Sequence, residues 1–237
     1  MGTFAAQARI LRLRLSRAVR VTGLQVLRCR MLCALLFTWA SASLGQAHPH
    51  VWVTVESQIV HAADGSAVGV RHAWTFDDAF SAFALQGIHS KKKGLFTREE
   101  LAPLAEVNVT SLREYKFFTF AKANGRRVPF NEPVDYWLDY ANGLLTLHFT
   151  LPLKAPVVVR TLDIEIYDPS FFVFFEFAPK APVTLRGGPS NCKLAIERPK
   201  EIDIKQAQSL SEEFFNALTA SASWGAQFTN KVALRCP

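Results

Sequence analysis

Three short stretches hold the side chains best suited to chemistry: His48-Pro49-His50, then His72 with Asp77 and Asp78, then Asp168 within Tyr167-Asp168-Pro169-Ser170. In the first, Pro49 holds the chain extended, and side chains two residues apart on an extended chain point the same way. Imidazole nitrogens suit zinc, copper and nickel. Pro49 has no amide proton, so the square-planar site that an N-terminal Xaa-Xaa-His makes through deprotonated amides is closed to this sequence. Two imidazoles are too few for a complete site, and Asp77, Asp78 and Asp168 are the carboxylates expected to complete it. Each candidate also has a plainer reading. The tripeptide reads equally as a solvated pair of histidines, and His72 as a half-exposed strand residue. Asp77 or Asp78 reads as a helix N-cap, and Asp168 as a turn residue ahead of its proline.

His89 to Glu100 has the outline of a calcium-binding helix–loop–helix, with Gly94 at the sixth loop position and Glu100 at the twelfth. His89, Lys91 and Lys93 stand where calcium needs carboxylates or amides. Calcium is therefore rejected, and the loop is read as a degenerate EF-hand. The chain has no Gly-x-Ser-x-Gly, no phosphate-cradling glycine loop and no His-Glu-x-x-His. The expectation is a protein that is not an enzyme.

The beginning of the chain has a different purpose. Arg9, Arg12, Arg14, Arg17, Arg20, Arg28 and Arg30 precede the apolar run Met31 to Ala40, and small residues lead to Gly45-Gln46-Ala47. That order is a secretory signal over 1–47, cleaved near Ala47, with Ala42 as the alternative and a true start near Val26 as a variant. The apolar run is too short for a permanent anchor. The protein is expected in the periplasm as a domain over 48–237. All seven arginines leave with the leader, so 20 of the 27 basic residues remain to face 20 acids. The pI near 9.4 belongs to the leader, and nothing in the balance asks for nucleic acid. Cys29 and Cys33 leave as well. Cys192 and Cys236 remain as an even pair in an oxidising compartment and are read as a disulfide, with a two-thiolate metal site as the rival.

The elements that must position these residues are mostly strands. His50 to Glu56 alternates, Asp64-Gly65 marks a turn, and Val68 to Phe76 reads as the return strand. A short helix follows, carrying Phe80, Phe83 and Ala84. Thr97 with Glu100 forms a capping box for a second helix carrying Leu101, Leu104, Ala105, Leu112 and Tyr115. Phe117–Ala123 and Arg127–Phe130 flank Asn124-Gly125, and Tyr136–Tyr140 and Leu144–Leu151 flank Asn142-Gly143. Val157–Tyr167, Phe171–Phe177 (a buried central strand, being apolar on both faces) and Val183–Arg186 continue the series. Ser209 and Glu212 open a C-terminal helix before a last strand, Lys231–Cys236. The fold class is α+β: a mainly antiparallel β-sandwich-like domain with a helix–loop–helix insertion over 78–115 and a C-terminal helix.

Taken in order, His48-Pro49-His50-Val51-Trp52-Val53, Trp74-Thr75-Phe76-Asp77, Gly94 to Leu101, Tyr167-Asp168-Pro169-Ser170-Phe171 and Cys192 resemble the bacterial periplasmic family known as domain of unknown function 1007. That family includes ZevA-type accessory proteins of zinc uptake, and the resemblance spans residues 48–237. It implies a periplasmic metal-binding accessory protein that assists zinc or nickel transport by an inner-membrane permease of the nickel/cobalt/zinc type. His48, His50, Asp77, Asp78 and Asp168 would be its metal site. The chain departs from the family in carrying Lys91-Lys92-Lys93 where many members have an acidic loop, and in lacking a histidine-rich tract. Two other readings stand beside this one. The first is a non-metal module that docks on a transporter and regulates it. The second is a copper redox enzyme held by the N-terminal amine and imidazole of His48.

Overall fold

The computed structural model describes residues 50–92, 94–199 and 228–237. The alternation that begins at His50 runs further than the sequence suggests, through β1 (Val51–His61), which turns Val51, Val53, Val55, Ser57, Ile59 and His61 inward. At Asp64-Gly65 the Asp64 carboxylate accepts from both the amide and the hydroxyl of Ser66, and Gly65 takes a φ of +83°. The chain returns antiparallel as β2 (Ala67–Phe76). β2 then pairs with β6 (Leu144–Val157), and β6 with β5 (Val134–Ala141). Gly69 sits at the β2–β6 bulge, where an added Cβ would lie 2.7 Å from the Leu151 carbonyl oxygen.

The other edge of β1 is covered in two halves, both parallel. β8 (Val173–Phe177) pairs with Val51–Val55, and β9 (Val183–Arg186) with Ser57–Val60. The first sheet therefore runs β5-β6-β2-β1-β8, with β9 beside β1. A second, antiparallel sheet runs β10 (Lys193–Glu197), β11 (Asn230–Arg235), β7 (Thr161–Ile166), β3 (Thr119–Ala123), β4 (Arg126–Val128). Val55, Trp74, Leu147 and Phe149 of the first sheet share one apolar core with Ala121, Ile164, Ile166 and Leu234 of the second. Among the described residues the fold is mainly β with two α-helices, as the patterning predicts.

Between β2 and β3 lie α1 (Asp78–Ala84) and α2 (Arg98–Leu112). Thr97 and Glu100 form the reciprocal capping box of α2, which buries Leu101, Ala105 and Val109 and packs on β5. The loop ahead of it closes on its own backbone. Glu100 accepts from the Lys91 amide at 2.9 Å, and the Ser90 hydroxyl bonds to the carbonyls of Lys92 and Leu95.

Several boundaries differ from the sequence reading, each for a physical reason. Val157–Tyr167 is not one strand: β6 continues to Val157, and β7 begins at Thr161. Asn124 holds the corner between them, its Oδ1 accepting from the Arg160 and Thr161 amides and its Nδ2 donating to the Val158 carbonyl. Phe171–Phe177 begins as a strand only at Val173, because Phe171 takes a left-handed φ of +57°. That strand is also an edge strand, not a central one. Its outer edge is closed by side chains: Asn230 accepts from the Phe177 amide (3.1 Å) and donates to the Phe175 carbonyl (2.7 Å). Arg198 covers the carbonyls of Phe177 and Ala178. Such closure blocks the pairing that an apolar edge invites. α1 docks through Ser81, whose hydroxyl accepts from the Leu145 amide, while Phe83 faces solvent. α2 stops at Leu112 and leaves Tyr115 exposed, as Lys116, Phe117 and Phe118 take positive φ.

Cys192 and Cys236 form the disulfide, joining the start of β10 to the end of β11 across a separation of 44 residues. The leader expected over 1–47, His48, Pro49 and the helix expected over Ser209–Leu218 lie outside the described residues.

Candidate functional site

The predicted metal-binding segments meet at one end of the first sheet. The β1–β8 register sets Val51 opposite Val173, and the His50 amide donates to the Phe172 carbonyl at 2.9 Å. The His50 ring lies 4.7 Å from that of Phe172 and is half-buried. One residue on, Asp77 grips the strand from the β2 side. Its amide donates to the Trp52 carbonyl at 2.9 Å, and its Oδ2 accepts from the Trp52 amide at 2.7 Å. Asp77 Oδ1 accepts from Phe80 at 2.7 Å, so Asp77, and not Asp78, caps α1. Asp78 is exposed in the first turn, its Oδ1 beside the Ala79 amide.

Asp168 is buried in the turn that leads to β8. One of its oxygens accepts from the amide and hydroxyl of Ser170, the other from the Val173 amide at 2.9 Å. The turn reading of this residue is therefore correct. Asp77 and Asp168 are hinge pins: each holds the backbone of a loop against the end of the sheet. Their side-chain oxygens retain further lone pairs, which is all that a ligand role could use. Among the described residues no group of three or more His, Cys, Asp or Glu side chains is gathered closely enough to hold a metal ion. His48, the other half of the pair, lies outside the described residues.

His72 is the largest departure from expectation. The alternation of β2 sets it on the inward face with Val70, Trp74 and Phe76, and it is 1% exposed, not half-exposed. It spans the gap between the sheets. Thr119 donates its hydroxyl to the Phe117 carbonyl at 2.8 Å and so accepts from His72 Nε2 at 3.4 Å. Nδ1 in turn accepts from the Ser57 hydroxyl at 2.9 Å. Burial pushes the imidazole down to about 3, which keeps it neutral across physiological pH, and with both ring nitrogens hydrogen-bonded it bridges the sheets. His61 is a second buried imidazole. It ends β1 against Gly187-Gly188, with neither nitrogen hydrogen-bonded among the described residues.

Two surface features were missed by sequence reasoning. The outer face of the second sheet forms a groove of about 1240 Å³ around Phe120 and Tyr167, whose rings are 5.0 Å apart. Ion pairs along it join Arg235 with Asp163 and Lys231 with Glu197. Burial and the neighbouring Glu165 raise the Tyr167 hydroxyl above its usual range. On the outer face of the first sheet, Trp137 stacks on His148 with Arg71 and Arg98 over its ring. Period-two alternation sets Trp137 with Asp139 and His148 with Thr146 on that face, so the signal was present in the sequence.

Comparison with known proteins adds a family and two distant relatives. The family model described as "Protein of unknown function (DUF1007)" matches residues 32–236. An uncharacterized protein of Haemophilus influenzae is 22% identical over 193 residues, covering 80% of this chain and 91% of its own. An uncharacterized 15.5 kDa protein of Spirochaeta aurantia, encoded in the trpE 3' region, is 28% identical over 94 residues. That match covers 39% of this chain and 67% of the relative.

Proposed function

The chain belongs to the DUF1007 family, and on that premise we propose that it is an exported accessory protein that holds zinc or nickel as cargo for a membrane permease. One observation carries the reading. His50, the Asp77–Asp78 corner and the Asp168 turn, far apart in sequence, meet at the end of β1 that follows His48. His48 and His50 supply the imidazoles. Asp78 supplies an exposed carboxylate, and Asp77 and Asp168 act first as the pins that fix the rim. An open site of two nitrogens and one carboxylate leaves coordination positions for water or for a permease side chain, as handing on an ion requires. The insertion, in this reading, is a relic of a calcium loop in which Glu100 holds the Lys91 amide in place of an ion.

The test uses protein isolated from the exported fraction of its own host, without chelator, with its N-terminus and metal content measured together. A mature chain beginning at His48 and carrying stoichiometric zinc or nickel is expected. Metal-free protein that takes up neither ion on reconstitution contradicts the proposal. The hydrogen bonds that Asp77 and Asp168 accept from backbone amides favour a second reading, a non-metal module that docks on a transporter. Co-purification with a permease that survives both chelator and the His48→Ala/His50→Ala pair selects it.

A further inference from the structure

The outer face of the first sheet holds a charge arrangement that the metal reading does not use. Trp137 and His148 face each other across β5 and β6, with rings parallel to within 9° and centroids 4.7 Å apart. Arg98, from the first turn of α2, places its guanidinium carbon 4.5 Å from the indole centre, and Arg71, from β2, places its own at 5.1 Å. Asp139 is the acid of this stack, and it is already engaged. Its Oδ2 takes His148 Nε2 at 2.9 Å and the Trp137 indole N–H at 3.4 Å. Among the described residues neither arginine has an ion pair or a hydrogen bond to a carboxylate. Burial lowers the proton affinity of His148, Asp139 opposes it, and the Arg71 and Arg98 guanidiniums add to the lowering. Two like charges are thus held on one ring, neither of them in an ion pair among the described residues.

We propose that this stack is the centre of a docking surface for a protein partner, which presents an acidic segment to Arg71 and Arg98. Three features select a protein over a small anion. The ring faces are occupied, so an incoming group meets the guanidinium edges, where a carboxylate bonds in bidentate fashion. The two arginines lie on the outer face of the sheet beside Thr75, Thr146 and Thr150, with Thr75 and Thr146 bonded to each other at 2.9 Å. Trp and Arg are also the residue types most enriched at the energetic centres of protein interfaces. The surface is independent of the metal reading, since none of its residues belongs to the end of β1.

The test titrates the whole exported protein against a fluorescein-labelled hexaglutamate peptide at about physiological ionic strength, where screening suppresses diffuse attraction. Saturable binding is expected. The Arg71→Gln/Arg98→Gln pair should weaken it at least tenfold. The Lys154→Gln/Arg186→Gln pair, which removes the same charge elsewhere, should change it less than twofold. Arg71→Lys/Arg98→Lys should recover only part of the loss, because it keeps the charge but not the fork. Thermal unfolding of every variant checks that the sheet is intact. Equal loss from both glutamine pairs, or no binding by the unaltered protein, overturns the proposal. So does displacement of the peptide by inorganic phosphate at equal charge concentration, which marks a small-anion site.

Discussion

His72 makes the stability of this domain depend on pH in a window where few other groups titrate. In the unfolded chain its imidazole titrates near the ordinary 6.5; in the fold, burial depresses it to about 3. A depressed folded-state value means that the unfolded chain takes up the proton first, so stability is complete above pH 6.5 and declines as the pH falls. At pH 5 the solution is about 1.5 pH units below the unfolded value, and each unit costs about 1.36 kcal/mol, giving a loss of about 2 kcal/mol. That figure barely depends on how far below 5 the folded value lies. Urea unfolding at pH 7.5 and pH 5.0 measures the loss. The His72→Gln variant, which keeps an amide to face Ser57 and Thr119, supplies the baseline for every other titrating group. The unaltered protein should lose about 2 kcal/mol more than the variant over this interval. Equal losses would refute the reasoning. So would an NMR titration in which the His72 ring protonates with a midpoint above pH 5.

The remaining predictions concern the devices that hold the sheets. Replacing Cys192 and Cys236 by serine opens the 44-residue separation and should cost about 4 kcal/mol on the chain-entropy model, read as the difference in urea unfolding free energy with and without the bond. Asn230→Leu strips the Phe177 amide and Phe175 carbonyl of their partner in a buried setting. It should destabilise by about 3 kcal/mol, and it should open the β8 edge to self-association visible by light scattering. Gly188→Ala puts a Cβ 2.9 Å from the His61 ring and should cost about 1–3 kcal/mol; most of this should vanish in a His61→Ala background, whereas an undiminished penalty there would locate the strain in the backbone.

What the sequence reveals and what it hides divide along the range of the interactions involved. Asp64-Gly65, Asn124-Gly125 and Asn142-Gly143 are turns because their glycines and asparagines take positive φ. The capping box at Thr97 and Glu100 likewise depends on residues three apart. Both kinds of signal are local, and both read correctly. The parallel seating of β8 and β9 along β1 is a choice of partner across more than 100 residues, and no local pattern encodes it. The double-sided apolarity of Phe171–Phe177 reads as a central strand. It is in fact an edge whose second face is covered by its own aromatic cluster, with Trp52 and Phe174 4.7 Å apart. His72 was legible from alternation alone, since Val70, Trp74 and Phe76 share its face. The polar side chain argued for exposure, and only the fold supplies Ser57 and Thr119 to satisfy it. At the candidate site, the engagement of Asp77 and Asp168 by backbone amides depends on loop geometry that spacing does not fix.

The central claim is that an imidazole pair at the start of β1 takes a divalent transition metal. Calorimetric titration of zinc and of nickel into exported protein with its authentic N-terminus tests it most directly, alongside the His48→Ala/His50→Ala variant. The account predicts saturable one-to-one binding that the double substitution abolishes while leaving thermal unfolding of the apoprotein unchanged. Equal affinity in both proteins, or no heat of binding in either, contradicts it.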